Sequence, residues 1–408
     1  MFSAISQTGI GAYHLKYAYP VMFVILFGVL LKTRDSVRII KVLPWVLVTL
    51  VVYLFQTLLY VDPQVEMVGF EQYTLFILRH IVPFMYLVAV GDDFFKYYLK
   101  ILYYYSLISF VFLSLSAFPF FRSFIHSGAL FWSRLTGTFV VEYKALSFFQ
   151  LFTYTMVQRD AFFIRNAGPF WEPGAFAAYL SVALVMQYFY TGSLKNKYNY
   201  VFTLAMITTQ SSAGYPALFV FYFFSVLFSK NTLKPIILVL IVIVSFSAYS
   251  YAPFMKEKIS HMYETQTEKD LYGYTSGRFY AMRKSINALG EYPFFGRGIT
   301  RRTAADEYSE FAGGYGIVNV PAKYGIFVGF AYLLSFWLSL QYYSSMLSAR
   351  LKIRYALLGA ATLFPSMFSL TIYDSVIVLI IMQSVFLYGH KTAKNDAYES
   401  IKGLSYAR

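Results

Sequence analysis

Residues 235–252 read Pro-Ile-Ile-Leu-Val-Leu-Ile-Val-Ile-Val-Ser-Phe-Ser-Ala-Tyr-Ser-Tyr-Ala, 18 positions without a charge. As a helix this stretch rises about 27 Å, close to the ~30 Å hydrocarbon thickness of a bilayer. Similar apolar stretches lie near 15–31, 42–60, 75–90, 98–117, 173–190, 198–211, 213–229, 319–343, 355–372 and 375–388. The expected fold class is an all-α polytopic membrane protein with about 11–12 transmembrane helices. Residues 1–408 form a single integral membrane domain in this reading. A twelfth crossing would come from 143–157, which is only about four turns long. That stretch reads equally as a re-entrant or membrane-surface helix closing over a cavity, allowed where protein shields its backbone. Part of residues 1–14 could also join a further span. The N-terminus shows no basic region followed by a small-residue cleavage site, so no signal peptide is expected.

Composition agrees. Apolar residues make up 58% of the 408, aromatic residues 21% and charged residues 13%. A soluble chain carries about 25% charged residues, and 13% cannot cover the surface of a soluble globule this size. The absence of cysteine excludes a disulfide scaffold, a thiolate zinc site, an iron–sulfur cluster and a catalytic thiol. The formal charge is nevertheless +14, which needs an explanation where charge is costly.

Part of the charge is topological. Lys32, Arg34, Arg38 and Lys41 follow the first apolar stretch. Lys195 and Lys197, Lys230 and Lys234, and Arg350, Lys352 and Arg354 mark three more short connections, and Lys391, Lys394, Lys402 and Arg408 the tail. The connection 61–74 has Asp62, Glu66 and Glu71 and no base. Basic loops face the cytoplasm, so eleven spans put the N-terminus outside and the C-terminus inside. Two long segments then face outward: 118–172 and the large loop 253–318, the latter expected to carry short amphipathic helices.

The outer segments hold the candidate chemistry. Residues 165–180 read Arg-Asn-Ala-Gly-Pro-Phe-Trp-Glu-Pro-Gly-Ala-Phe-Ala-Ala-Tyr-Leu. Arg165 and Glu172 are thereby placed at the outer mouth of a span. Pro173 suits the first helical turn, and Glu172 precedes it where the dipole favours a negative charge. One reading makes Glu172 a cap with Arg165 its surface partner; the other makes both functional. In the large loop, Thr275-Ser276-Gly277-Arg278 precedes Phe279, Met282, Ile286 and Leu289, spaced along one helical face. Thr275 or Ser276 offers an N-cap, and Gly290 and Pro293 a stop. Arg278 lies in the first turn, where a cation is disfavoured unless an anion is shared with the free N–H groups. Arg297, Arg301 and Arg302 follow beside glycines. The loop's nine bases and eight acids leave only +1, so particular arginines matter rather than bulk charge. Arginine suits phosphate through its two parallel N–H donors. A short hydroxyl-rich turn, Thr208-Thr209-Gln210-Ser211-Ser212-Ala213-Gly214-Tyr215, either binds sugar or phosphate or satisfies helix ends. Gly313, Gly314, Gly316 and Gly325 read as flexible points around Asn319 and Lys323.

Other chemistries find no support. There is no GxxxxGK[ST] loop, no HExxH and no acidic metal cluster in a span. His14, His80, His126, His261 and His390 are scattered. No metal or cofactor is expected, and nothing calls for nucleic acid.

Taken together, RNAGPFWEPGAFAAYL, SSAGY, and SGRF followed by YPFFGRGI resemble motifs of the Wzy-type O-antigen and capsular polysaccharide polymerases, within the O-antigen ligase/polymerase superfamily. The resemblance in motif order covers roughly 165–330, and in span pattern most of the chain. It implies a GT-C-like helical fold in the bacterial inner membrane with its active site facing the periplasm. The implied reaction is metal-independent, inverting glycosyl transfer. It joins undecaprenyl-pyrophosphate-linked repeat units into O-antigen or capsular polysaccharide. The implied partners are those lipid-linked glycans, membrane lipid and a chain-length regulator. On this resemblance Arg165 and Arg278 take the pyrophosphate, assisted by Arg297, Arg301 and Arg302. Glu172 acts as base or orients the acceptor. Trp171, Ser211, Ser212, Tyr215 and Asn319 contact substrate. Ligases share this architecture but usually carry a histidine before the span that follows the large loop. Here the stretch reads Gly316-Ile317-Val318-Asn319-Val320, which favours the polymerase. A non-enzymatic flippase or exporter would need polar residues through the depth of several spans, and the spans show few.

Overall fold

The computed structural model describes residues 20–29, 47, 51, 70–121, 123–124, 127, 146–148, 152–154, 165–170, 172–229, 232–251, 278–296, 316–369 and 375–388. In chain order its helices are α1 (Pro20–Val29), α2 (Phe70–Val90), α3 (Phe94–Leu115), α4 (Pro173–Thr191), α5 (Lys197–Thr208), α6 (Gly214–Leu227) and α7 (Lys234–Tyr251). They continue as α8 (Arg278–Glu291), α9 (Asn319–Tyr324), α10 (Ile326–Ser345), α11 (Lys352–Ser369) and α12 (Val376–Tyr388). A 3-10 turn, Gly91–Asp93, joins α2 to α3. Most expected apolar stretches are therefore helical within a few residues. The expected span 42–60 lies outside the described residues apart from positions 47 and 51.

α4 is the axis of the bundle. Every residue from Ala175 to Tyr190 is buried, and the helix packs against α3, α5, α6, α10 and α11. A helix apolar on all sides belongs in a core. Small residues on α4 and facing glycines let backbones approach closely. A Cβ added to Gly214 of α6 would lie 2.9 Å from Ala177 Cβ, and one on Gly359 of α11 3.0 Å from the Phe189 ring. Pro173 opens the helix, and Gly192, left-handed at φ 64°, closes it by donating its N–H to Tyr188 O at 2.8 Å.

The helices run between two poles. At one, Phe95 of α3 meets Tyr343 of α10 with ring centroids 5.0 Å apart. Tyr355 of α11 there meets both Tyr188 and Phe228, and Gly192 sits against Leu347. Lys195, Lys197, Lys234, Arg350, Lys352 and Arg354 belong to the connections and helix starts at this pole, which we call the basic pole. The opposite pole gathers the end of α3, the segment 165–170, the start of α4, the α5–α6 turn, α9 and the end of α11. We call it the motif pole.

The structure departs from sequence expectation in four places. First, the described residues within 143–157 are strand, not helix. Leu146–Phe148 (β1) and Phe152–Tyr154 (β2) pair antiparallel, with Ser147 opposite Thr153. Phe, Thr and Tyr favour strands, and four turns of apolar sequence are too few to favour a crossing helix over a hairpin. Second, 319–343 is broken: α9 stops at Gly325, whose φ 85°, ψ 166° no helix accepts, and α10 begins anew. Third, of the two settings open to the apolar stripe of α8, the membrane or the spans, the spans do not cover it: Ser285 is buried and Ile286 is 49% exposed. Gly290 lies inside its last turn rather than stopping it.

Fourth, Gly316 and Gly325 are not loose. Each has positive φ where another backbone crosses: a Cβ on Gly316 would strike Phe368 O, and one on Gly325 would strike Phe294 O. Two hydrogen bonds close these crossings, Ile317 N–H to Met367 O and Ile326 N–H to Pro293 O, both 2.8 Å.

Two described helices, α3 and α10, are long and apolar enough to cross a membrane. Their outward sides stay apolar. Phe327, Phe330, Leu334 and Leu338 form one exposed stripe on α10, and Tyr104, Leu107 and Val111 one on α3. α7 packs on α6 and exposes Ile236, Val239, Leu240 and Ile243.

The crossings predict a stability test. Gly325→Ala should cost at least about 1–3 kcal/mol, since its dihedrals suit almost only glycine, and should visibly lower the melting temperature of the detergent-solubilised protein. Gly290→Ala, with nothing within 4 Å of the new Cβ, should leave it unchanged or slightly raised.

Candidate functional site

Residues 165–170 precede α4 and dock on the ends of two other helices. Asn166 is fully buried. Its backbone N–H donates to Thr208 O at 3.0 Å, at the last residue of α5. Its side-chain Nδ2 donates to Ser109 Oγ of α3 at 2.9 Å and to Thr208 Oγ1 at 3.0 Å. Its Oδ1 accepts the Gly168 N–H at 2.9 Å. Both amide donors and the acceptor are used, as burial requires. One side chain thus ties α3 and α5 to the segment that leads into α4.

Arg165 lies beside it, 6% exposed, and donates from Nε to Thr209 O at 3.1 Å. Thr209 caps α5. The last carbonyls of a helix lack helical partners, and a cation is favoured there. The Arg165 charge also reaches the Tyr215 ring in the first turn of α6. The guanidinium therefore sits where the end of α5 meets the start of α6, and Gly214 brings that start against Ala177 of α4. The N-terminal ends of α4 and α6 carry positive partial charge. Against them stand the C-terminal end of α5 and the Glu172 carboxylate at the N-cap of α4, so the junction brings a buried cation, a carboxylate and three helix ends together.

The remaining motif residues shape the backbone. Gly168 has φ 53°, and an added Cβ would lie 2.8 Å from the Phe176 ring. Phe170 stacks on Phe176 at 5.5 Å and lies 4.6 Å from the Tyr179 ring. Glu172 is extended at the N-cap of α4 and partly exposed. Its carbonyl accepts the Phe176 N–H at 3.2 Å, but its side chain makes no capping hydrogen bond.

In the α5–α6 turn, Gln210 is left-handed at φ 47°. Ser211 Oγ accepts the N–H of Gly214 at 3.2 Å and of Ala213 at 3.4 Å. The Thr208 and Thr209 hydroxyls donate to Ala205 O and Met206 O at 2.7 Å, and Tyr215 Oη donates to Ile207 O at 2.9 Å. These hydroxyls satisfy helix ends. Ser212 is partly exposed.

Asn319 is 6% exposed, opens α9 and donates its N–H to Gly316 O at 3.1 Å. It stands at the same pole, because Ile317 is bonded to the end of α11, which meets α4 at Ser181 and Ser366, Oγ to Oγ 3.4 Å. Arg278 opens α8, which packs on α9; its side chain lies outside the described residues. So do Trp171, Arg297, Arg301 and Arg302. The structure thus gathers Arg165, Glu172, Ser211, Tyr215 and Asn319 at one pole.

Residues 198–322 match the Wzy_C family model, described as O-antigen ligase. The match covers this segment and supports a relationship to the O-antigen ligase/polymerase superfamily. Superfamily members are glycosyltransferase-like enzymes acting on lipid-linked glycans. The matched segment includes the α5–α6 turn, the large loop and most of α9, and leaves Arg165 and Glu172 outside. No curated protein and no solved structure matches the chain.

Sequence reading missed Asn166. The only trace of its role is its place beside Arg165, and its partner Ser109 sits unremarked in an apolar stretch. Asn166→Ala should leave buried hydroxyls and an N–H short of partners and cost about 1–3 kcal/mol. Ser109→Ala removes one of two Nδ2 acceptors and should cost less. Thermal melts of both variants in detergent check the order.

Proposed function

We propose that the chain is a polytopic inner-membrane glycosyltransferase that polymerises undecaprenyl-pyrophosphate-linked oligosaccharide repeats into O-antigen or capsular polysaccharide. In this reading the basic pole faces the cytoplasm and the motif pole the periplasm. The exposed apolar stripes on α3, α7 and α10 support a lipid surround, since patches of that extent are rare on soluble monomers. The lysines and arginines of the basic pole support the orientation.

The observation that carries the chemistry is the buried Arg165 at the convergence of α4, α5 and α6. In transfer, a hydroxyl oxygen of the acceptor sugar attacks the anomeric carbon of the donor glycan. The bond from that carbon to the pyrophosphate oxygen breaks, with inversion. The hydroxyl proton passes to a base, and the electron pair leaves on undecaprenyl pyrophosphate. A fixed cation aimed at that developing charge lowers the barrier, more so away from water. Arg165 takes this role, with Arg278 at the start of α8 as its partner and Arg297, Arg301 and Arg302 assisting. Glu172, in the segment that enters α4, orients or deprotonates the acceptor. Trp171, Ser212 and Asn319 are the substrate contacts of this reading.

The description of the matching family as O-antigen ligase favours a second reading, transfer of the glycan to a different acceptor. Incubation of purified protein with the lipid-linked repeat alone separates the two: a ladder of longer glycans indicates the polymerase, and an unchanged repeat the ligase or a transporter.

Arg165→Ala and Arg278→Ala should each abolish the ladder in protein that still inserts and folds. Arg165→Lys should retain the charge but recover only part of the activity, because the planar fork is lost. Full ladders from both alanine variants contradict the assignment.

A further inference from the structure

The turn after α8 carries a feature that the catalytic reading leaves unused. Phe294 is 59% exposed, yet it is held firmly. Its carbonyl oxygen lies against Gly325, and the neighbouring Pro293 O accepts the Ile326 N–H at 2.8 Å. Its ring stacks on Phe327, 65% exposed, with centroids 6.0 Å apart and planes 22° from parallel. A stacked aromatic pair fixed by backbone and still facing outward is costly in water. The pair is continuous with the exposed stripe that runs down α10 through Phe330, Leu334 and Leu338, on a helix fit to span a membrane.

α8 extends this surface. Its buried Ser285 marks the side toward α9, with which the helix packs. About a quarter-turn round stands exposed Ile286, on the stripe shared with Phe279. Further round, Asn287 and Glu291 are exposed. The helix sequence carries Arg278, Arg283 and Lys284 against Glu291 alone. One side for protein, one apolar, one polar, with net positive charge and aromatic residues at its end, is the pattern of a helix lying in a bilayer interface.

We infer that α8 and the turn 292–296 form an interfacial wedge that seats on an anionic lipid leaflet at the motif pole. Phe294 and Phe327 are its apolar tip. Anionic lipid is the fitting occupant on two counts: the apolar surface continues that of a candidate span, and the charge of α8 complements lipid phosphate. The wedge sets the height of Arg278, which opens the same helix, at the level of a lipid-linked pyrophosphate. The inference rests on the membrane reading proposed above.

The chain has no cysteine, so single nitroxide labels can be placed without background. Phe294→Cys, Asn287→Cys and Leu334→Cys are labelled in the full chain, in nanodiscs containing phosphatidylglycerol. Power-saturation spectroscopy then compares collision with oxygen, which concentrates in lipid, and with a water-soluble nickel chelate. Leu334 tests the membrane reading by itself. The expected oxygen-to-nickel ratio is high at Leu334, above one at Phe294 and below one at Asn287. Phe295→Cys repeats the Phe294 measurement with the stacked pair intact. A nickel-dominated Phe294 with an oxygen-dominated Leu334 overturns the wedge and leaves the membrane reading standing. Shielding of Phe294 from both reagents also overturns it, pointing to cover by protein. A nickel-dominated Leu334 removes both.

Discussion

α5 ends on buried Thr209 where α3, α4 and α6 converge, and its last carbonyls need donors. Thr209 is fully buried, so water cannot supply them. The chain answers with the segment 165–166. The Asn166 backbone takes Thr208 O, and Arg165 takes Thr209 O with a charged donor. Hydrogen bonds from charged donors are the stronger kind. In exchange the carbonyls hold the arginine in place and offset part of the cost of burying its charge. Asn166 then extends the joint to Ser109 on α3. The direction of α4, and with it the position of Glu172, follows from this joint.

The rest of the motif pole is built on close backbone crossings. Gly214 brings the α5–α6 turn against α4, Gly316 brings α9 against the end of α11, and Gly325 brings the turn 292–296 against the start of α10. None of these positions accepts a side chain without displacement of a neighbour. The result is a closely packed frame at the motif pole. Rigidity matters for the proposed chemistry, because charge stabilises a transition state best when it need not reorganise. Arg165, fixed by a helix end, meets that condition.

Much of the helical plan was legible in the sequence, because runs of uncharged apolar residues can hardly be anything but helix in a chain this poor in charge. Pro173 marked the start of α4 by its backbone geometry alone, whereas Gly192 showed itself as the end only in the fold. Three things were not legible. The paired strands 146–148 and 152–154 lie among residues that suit a short helix as well as a strand. The break at Gly325 depends on Phe294, some thirty residues away, which sequence spacing cannot place. The burial of Asn166 depends on Ser109 and Thr208, each an ordinary polar residue until the three helices meet. The candidate site was visible as a set of residue types, Arg165 and Glu172 above all. Its geometry was not, because Arg165 has a helix end to satisfy that only the fold reveals.

The +14 charge divides along the same lines. One part decorates the basic pole. The other contains Arg165, buried and held, and the arginines of the large loop. In the proposed reaction Arg165 binds the pyrophosphate of the lipid carrier rather than only capping α5. Its most direct test is the affinity of purified protein for undecaprenyl pyrophosphate, measured on the wild type, Arg165→Ala and Arg165→Lys, with a thermal melt of each. Binding should weaken at least about ten-fold in the alanine variant, a loss of ~1.4 kcal/mol, and be partly restored by lysine, at temperatures where all three are folded. Equal affinity across the three, with only the melting temperature changed, would make Arg165 a helix cap and nothing more.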